Sequence, residues 1–234
     1  MYKYLSVSTH GATLRLALNR PDVYNAFHRG MALELQQALA EADGNHEVRA
    51  VLLTGEGKAF CSGQDLSEAI DPQGPGLDRI LSEHYNPLVL KIRTLRKPVV
   101  VAVNGVAAGA GANLALAGDV VLAAQSAKFI QAFSKIGLIP DTGGTLTLPR
   151  LAGFAKASAW MMLADSVSAE EAERHGLIYR VVADDALADE AMAVAQKLAA
   201  MPTEALALTK EALNATVFHG FAEQLELERD LQNR

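Results

Sequence analysis

The chain has 234 residues, half of them apolar, with 21 basic against 27 acidic side chains and a formal net charge of −6. That predicts one compact domain near the size a single core supports, and it excludes a disordered chain. No Lys/Arg-rich run or basic–aromatic interleaving is present to track a phosphate backbone, which argues against a nucleic-acid partner.

The longest apolar stretch, Pro98 to Ala117, is broken by Asn104, Gly105, Gly109 and Gly111, short of the ~18 residues a membrane span needs. The first residues contain no apolar leader with a small-residue cleavage site, and the lone Cys61 cannot close a disulfide within one chain. A soluble protein of a reducing, cytoplasmic compartment is the expectation.

In chain order, a strand is predicted over Thr13 to Leu18. A helix follows over Arg29 to Ala42, where Met31, Leu35, Ala38, Leu39 and Ala42 repeat at helical spacing. Further strands are predicted at Val48 to Thr54, Val99 to Val103, Val120 to Ala124 and Ile178 to Val182. Asp71-Pro-Gln-Gly-Pro-Gly-Leu, with two Pro and two Gly in seven residues, reads equally as a linker or a substrate lid.

From Ser168 the pattern turns almost wholly helical: Ala169 to His175, Asp185 to Met201, Thr203 to Phe218 and Phe221 onward. The fold class is therefore α/β, with a core over residues 1–195 and a helical region over 196–234. The last helix reaches the end without a Gly, Asn-Gly or Pro exit signal, so a chain that continues further is expected.

Three segments carry candidate chemistry. The first runs from Lys97-Pro-Val-Val-Val-Ala-Val through Asn104-Gly-Val-Ala-Ala-Gly-Ala-Gly into a short helix. Its small residues would let backbone N–H groups approach a ligand oxygen, as in an oxyanion hole, or simply let helix and strand pack closely. Gly105, Gly109 and Gly111 also mimic a dinucleotide fingerprint. An NAD(P) oxidoreductase is disfavoured because the motif is mid-chain, the next strand ends in Ala123-Ala124-Gln125 without an acid, and no Tyr has a Lys four residues on.

The second segment, Ala59-Phe-Cys-Ser-Gly-Gln-Asp-Leu, follows a strand and can supply a second set of N–H groups opposite the first if the strands are neighbours. Within it Asp65 reads as a helix N-cap and Cys61 as a packing residue. The third, Gly137-Leu-Ile-Pro-Asp141-Thr-Gly-Gly-Thr, presents Asp141 either as an N-cap or as an acid/base. Flanking Leu138, Ile139 and Pro140 are expected to desolvate it and raise its pKa. The six His are scattered, with no pair at i,i+4 beside a carboxylate, so no metal site is expected. Asp119 reads as a cap or turn residue.

These three segments, in this order and spacing, resemble the crotonase (enoyl-CoA hydratase/isomerase) superfamily from near residue 5 to the C-terminus. Within it, Tyr85-Asn-Pro-Leu-Val, Asp71-Pro-Gln-Gly-Pro, Ala132-Phe-Ser-Lys and Glu226-Leu-Glu-Arg-Asp are most similar to the isomerases of phenylacetate catabolism that turn 2-(1,2-epoxy-1,2-dihydrophenyl)acetyl-CoA into oxepin-CoA.

The resemblance implies a crotonase-like spiral of ββα units with a C-terminal helical region that mediates oligomerisation into homotrimers or hexamers. It implies an oxyanion hole from the N–H groups of Gln64 and Ala110, and coenzyme A held around Ala26, Ala59, Ser62 and Asp65. An acyl pocket would be walled by Tyr85, Asn113 and Phe133. No cofactor is implied, coenzyme A being part of the substrate.

Hydratases of the superfamily use two glutamates, and the matching positions here are Asn113 and Phe133. That departure implies an isomerase working with Asp141 alone, since a proton shift needs one base whereas hydration needs a base and an acid around water. An enoyl-CoA hydratase and a non-catalytic acyl-CoA-binding subunit are the alternatives. Many members carry a further helical segment of about thirty residues that closes over the acyl pocket, which the sequence up to Arg234 is expected not to contain.

Overall fold

A computed structural model describes residues 2–234. The chain enters through a hairpin of β1 (Leu5–His10) and β2 (Thr13–Leu18), then forms α1 (Arg29–Gly44), β3 (Ala50–Gly55) and β4 (Ala59–Cys61). Two short helices, α2 (Leu66–Ala69) and α3 (Gly76–Arg79), lead to a π-helical turn at Ile80–Tyr85 and to α4 (Asn86–Thr94). Next come β5 (Val99–Val103), β6 (Val106–Ala108), α5 (Ala110–Leu116), β7 (Val120–Ala124) and β8 (Lys128–Ile130). The remainder is α6 (Gly144–Ala152), α7 (Phe154–Leu163), β9 (Ser166–Ser168), α8 (Ala169–Arg174), β10 (Arg180–Val182), α9 (Leu187–Ala200), α10 (Thr203–Ala215) and α11 (Phe221–Gln232).

The strands divide between a six-stranded sheet, β1-β2-β3-β5-β7-β10, and a four-stranded sheet, β4-β6-β8-β9. Consecutive pairs split: β3 and β4, β5 and β6, β7 and β8 each give one strand to either sheet. This is the expected spiral of ββα turns. β2, β3, β5, β7 and β10 run parallel, and only β1 is antiparallel in the larger sheet. Central strands covered on both faces read as continuous apolar runs, and Val99–Val103 is buried at every position.

Helix α1 buries Met31, Leu35, Ala38, Leu39 and Ala42, the predicted stripe, together with Ala32. Its start is capped by His28, whose Nδ1 accepts the Met31 N–H at 3.1 Å. Its C-terminal end is closed by the buried ammonium of Lys97, which donates to the carbonyls of Ala42, Asp43 and Asn45. A cation there answers both the unpaired carbonyls and the negative end of the helix dipole.

The expected division at residue 195 falls inside α9, one unbroken helix whose Leu187, Ala191, Ala195 and Ala199 are all buried. Past it, α10 is tied to the core by Asp119. This residue does more than end a helix. Its carboxylate accepts from Val99 N–H at 2.8 Å, Lys210 Nζ at 2.7 Å and Arg93 Nη1 at 3.2 Å. The Asp71 to Leu77 segment is a hydrogen-bonded turn, with Gly74 N–H on Asp71 O and Gln73 N–H on Asp71 Oδ1, both at 2.9 Å. No helix among the described residues is long and apolar enough to cross a membrane.

Candidate active site

β4 and β6 lie side by side and parallel, Ala59 opposite Val106 and Cys61 opposite Ala107. The two loops that leave them are therefore neighbours. A β-carbon at Gly63 would stand 2.9 Å from the Ala108 carbonyl oxygen and 3.8 Å from the Ala110 nitrogen. On its other side the Gly63–Asp65 segment bonds Phe27: Phe27 N–H donates to Gly63 O and Asp65 N–H to Phe27 O, each at 2.7 Å.

Successive peptide groups of an extended chain point to opposite sides. With Gly63 O and Asp65 N–H turned toward Phe27, the Gln64 N–H is turned away, to the side of β6. The Ala110 N–H opens α5, where no carbonyl stands four residues behind it within the helix. Neither N–H has a hydrogen-bond acceptor among the described residues.

Between them, Gly109 adopts φ 53° and ψ −128°, a conformation open to glycine and costly to a residue with a β-carbon. Its own N–H is anchored to Ile130 O at 2.8 Å. The Phe133 ring comes within 3.8 Å of where a Gly109 β-carbon would be. Two unengaged N–H donors thus flank a glycine turn roofed by an aromatic ring, an arrangement able to stabilise negative charge on an oxygen.

Asp141 lies on the loop into α6. The N-cap of that helix is Gly143, not Asp141, so the capping alternative falls. Thr142, buried and β-branched, is held at φ 55°, a strained conformation for such a residue. Its hydroxyl donates to Asp141 Oδ1 at 2.7 Å. Burial raises the Asp141 pKa above the ordinary carboxylate value, against the opposing pull of the Thr142 hydroxyl and a backbone hydrogen bond.

The raised pKa and its leading cause, burial, agree with expectation, but of the three residues expected to supply that burial only Pro140 is even half-buried. Leu138 is exposed and Ile139 is 80 % exposed, so neither walls the carboxylate. The loop is instead fastened from α5: Asn113 Nδ2 donates to the Asp141 backbone carbonyl at 2.8 Å, and Gln131 Nε2 donates to Asn113 Oδ1 at 2.8 Å. Asn113 is 3 % exposed. It acts as a buried fastener of the loop rather than an open pocket wall.

Tyr85 is fully buried, its ring stacked on Phe27 with centroids 5.5 Å apart. Through Phe27, Gly63, Gly109 and the Asn113 contact, Gln64, Ala110, Asn113, Phe133, Asp141 and Tyr85 are linked into one region of the structure.

Of the four positions expected to hold coenzyme A, Ser62 is exposed and Ala26 half-buried, whereas Ala59 is fully buried. The Ala59 carbonyl is occupied by Asn25 Nδ2 at 2.8 Å and Asn104 Nδ2 at 3.3 Å, which leaves it no free acceptor to offer a ligand directly. Asp65 is the N-cap of α2, as expected, and its carboxylate is also paired with Arg20 at 2.9 Å.

Sequence reasoning missed Arg20, Gln131 and Glu68. Glu68 accepts from Gln64 Nε2 at 2.9 Å and from the Arg29 N–H at 2.9 Å. Its spacing three residues after the Asp65 cap was the available signal, since such a residue sits in the first turn and turns back toward preceding backbone. Cys61 is buried and its thiol is pushed up to about 12 by burial, so it is no nucleophile. Among the described residues no cluster of three or more potential metal ligands occurs.

A separate cleft of about 660 Å³ opens between α4, α6 and α10, with Leu90, Arg93, Leu146 and Leu213 among its walls. It touches the Asp141 loop at Thr142 and Gly143 and includes none of the six gathered side chains or N–H donors.

Residues 9–234 match the family model of enoyl-CoA hydratase/isomerase. The chain is 47 % identical over 235 residues to the 1,2-epoxyphenylacetyl-CoA isomerase of Escherichia coli (strain K12), covering 99 % of this chain and 90 % of that protein. It is 49 % identical over 217 residues to a Rhodobacter capsulatus protein named "Probable enoyl-CoA hydratase", covering 93 % and 83 %. Among solved structures, an enoyl-CoA hydratase from Bacillus anthracis superposes with a TM-score of 0.95 at 31 % identity, over 99 % of this chain and 90 % of the other. One from Polaromonas sp. JS666 gives 0.91 at 36 % identity, over 98 % and 90 %. The spiral, the paired amides and these likenesses together settle the family: the chain belongs to the enoyl-CoA hydratase/isomerase (crotonase) family, which acts on acyl-CoA thioesters.

Proposed function

We propose that this protein is an acyl-CoA isomerase in which Asp141 is the single acid/base and the N–H groups of Gln64 and Ala110 form the oxyanion hole. The thioester carbonyl oxygen accepts both N–H donors, so charge that develops on it as the α-carbon loses a proton meets fixed dipoles. One such donor contributes about 3 kcal/mol to the transition state. Asp141 then removes and returns the proton, and its raised pKa suits it to that work near neutral pH.

The substrates proposed are 2-(1,2-epoxy-1,2-dihydrophenyl)acetyl-CoA, rearranged to oxepin-CoA, and 3-enoyl-CoA, whose double bond moves to the 2-position. The similarity to the Escherichia coli isomerase favours the first. The observation that carries the isomerase reading is the occupancy of the two other sites around the carbonyl: Asn113 and Phe133, both buried and neither ionisable. Coenzyme A is proposed to lie along Ala26, Ser62 and Asp65, with Ala59 behind them supporting the loop. A cytoplasmic homotrimer or hexamer joined through the helical region, taken from about residue 196, completes the proposal.

A hydratase is the second reading, supported by the Rhodobacter relative and by Glu68, a second carboxylate beside Gln64. Glu68 is disfavoured as a water activator because both its oxygens are engaged by Arg29 N–H and one also by Gln64. Incubating the protein with 3-enoyl-CoA and 2-enoyl-CoA separately distinguishes the two. Isomerisation at unchanged mass, abolished in Asp141→Asn, is expected; a product heavier by one water establishes the hydratase instead.

A further inference from the structure

Tyr85 presents an unusual expense. Its side chain is 1 % exposed, and its hydroxyl has no hydrogen-bond partner among the described residues. Buried tyrosine hydroxyls ordinarily find one, because leaving a donor unpaired away from water is destabilising. Gln64 Oε1 and Gln131 Oε1 at the same site are unpartnered as well, and such a group calls for an explanation, of which a partner arriving with the substrate is one.

The backbone that carries it is also out of the ordinary. Tyr85 ends the π-helical turn Ile80–Tyr85, and single π turns inserted before α-helices concentrate at functional sites because the extra residue re-aims the side chains around it. The turn puts the Tyr85 ring against Phe27, the residue whose backbone brackets Gln64. One helical turn onward, Val89 Cγ1 lies 3.9 Å from the position of a Gly143 β-carbon. Tyr85 therefore lies between the Gln64 strap and the Asp141 loop, the two segments that the proposed reaction brings to the thioester.

Its protonation is secured by the same surroundings. Burial raises its pKa well above that of free tyrosine, and Cys61, Asp141, Glu68 and Asp65 add to the rise. The group is a neutral donor throughout the pH range in which Asp141 ionises. It can give a hydrogen bond and cannot act as a base.

We propose that the Tyr85 hydroxyl is the specificity element of this site, a donor reserved for an ether-type oxygen on the acyl ring of the substrate. The inference rests on the acyl-CoA isomerase reading and narrows it to oxygenated acyl groups. A site with a buried donor discriminates strongly against a ligand that leaves it unpaired. A hydrocarbon 3-enoyl-CoA would be a poorer substrate for that reason alone, since it leaves the hydroxyl as unsatisfied as it is in the free protein.

The test uses two unreactive thioesters that differ by one ring oxygen for one methylene, tetrahydropyran-2-ylacetyl-CoA and cyclohexylacetyl-CoA, with affinities measured by calorimetry. The wild-type protein is expected to prefer the ether roughly tenfold. Tyr85→Phe is expected to lose most of that preference while its Tm rises, since an unpaired hydroxyl has been removed. A preference retained by Tyr85→Phe, or missing in the wild type, overturns the inference; so does a lower Tm, which would mean that the hydroxyl has a partner inside the protein. If the wild type binds neither thioester, the acyl-CoA reading fails first and this inference falls with it.

Discussion

The side-chain amide of Asn113 donates to the backbone carbonyl of Asp141 across 2.8 Å, joining the helix that starts at Ala110 to the loop that carries the carboxylate. The contact runs to the carbonyl, not the carboxylate, so it fixes where Asp141 stands without neutralising its charge. Gln131 holds Asn113 from behind at 2.8 Å. Asn113→Ala strands both the Asp141 carbonyl and the Gln131 amide, and a loss of about 1–3 kcal/mol is expected for such orphaned buried groups. Urea denaturation measures that loss, and the isomerase kcat should fall further than the loss of folded protein explains.

The pH dependence follows from the carboxylate itself. As a base, Asp141 must be ionised, so kcat/KM should rise through a pKa above the usual carboxylate range. Thr142→Val keeps the shape at this position but removes the hydroxyl that favours the ionised form. The acid limb of the profile should move to higher pH. An unmoved limb would show that some other group sets it.

Linkage gives the matching stability prediction. The folded-state pKa of Asp141 is raised, so the folded protein keeps this proton to higher pH than the unfolded chain does. Its contribution is fully present below the unfolded pKa and is lost as pH rises through the folded one. Asp141→Asn, with no charge to bury, should therefore gain Tm relative to wild type at neutral pH and lose that gain in acid. Thermal melts across the pH range decide it.

Gly109→Ala tests the proposed oxyanion turn. Alanine at φ 53° and ψ −128° costs on the order of 1–3 kcal/mol in backbone strain, which the turn can relieve by rotating the peptide that ends in the Ala110 N–H. Activity should consequently drop by about a hundredfold while acyl-CoA binding weakens far less, a split that steady-state kinetics and direct titration resolve.

At Lys210, truncation to Met leaves Asp119 with Arg93 and the Val99 N–H alone. Removing one partner from a largely buried ion pair costs about 3 kcal/mol or less where other donors remain. The expected symptom is freer amide exchange in α10 before any change in the sheets.

Legibility in the sequence followed burial. Val99–Val103 and Val120–Ala124 announced themselves because central parallel strands are apolar at nearly every position. β1 escaped because it is an edge strand of alternating exposure, and its Ser-Val-Ser-Thr composition resembles a loop. β4, β6, β8 and β9 are three residues each, too short for any period to show. At the site, Gly109 and Asp141 stood out through local spacing. What could not be read locally was who surrounds them: Leu138 and Ile139, neighbours in sequence, turn to solvent, while Asn113 and Gln131, distant in sequence, secure the loop.

The alternation of strands between two sheets has one more effect. The amides of Gln64 and Ala110 come from adjoining turns of the spiral and are registered by the β4–β6 ladder, whereas Asp141 hangs from the next turn on a loop outside any strand. On the proposed reading, activation of the thioester rests on the scaffold, and the fate of the activated carbon rests on the side chains placed around it. Under that reading one reaction can be exchanged for another by rewriting a few side chains, Asn113, Phe133 and Asp141 among them, while the two backbone amides stay untouched.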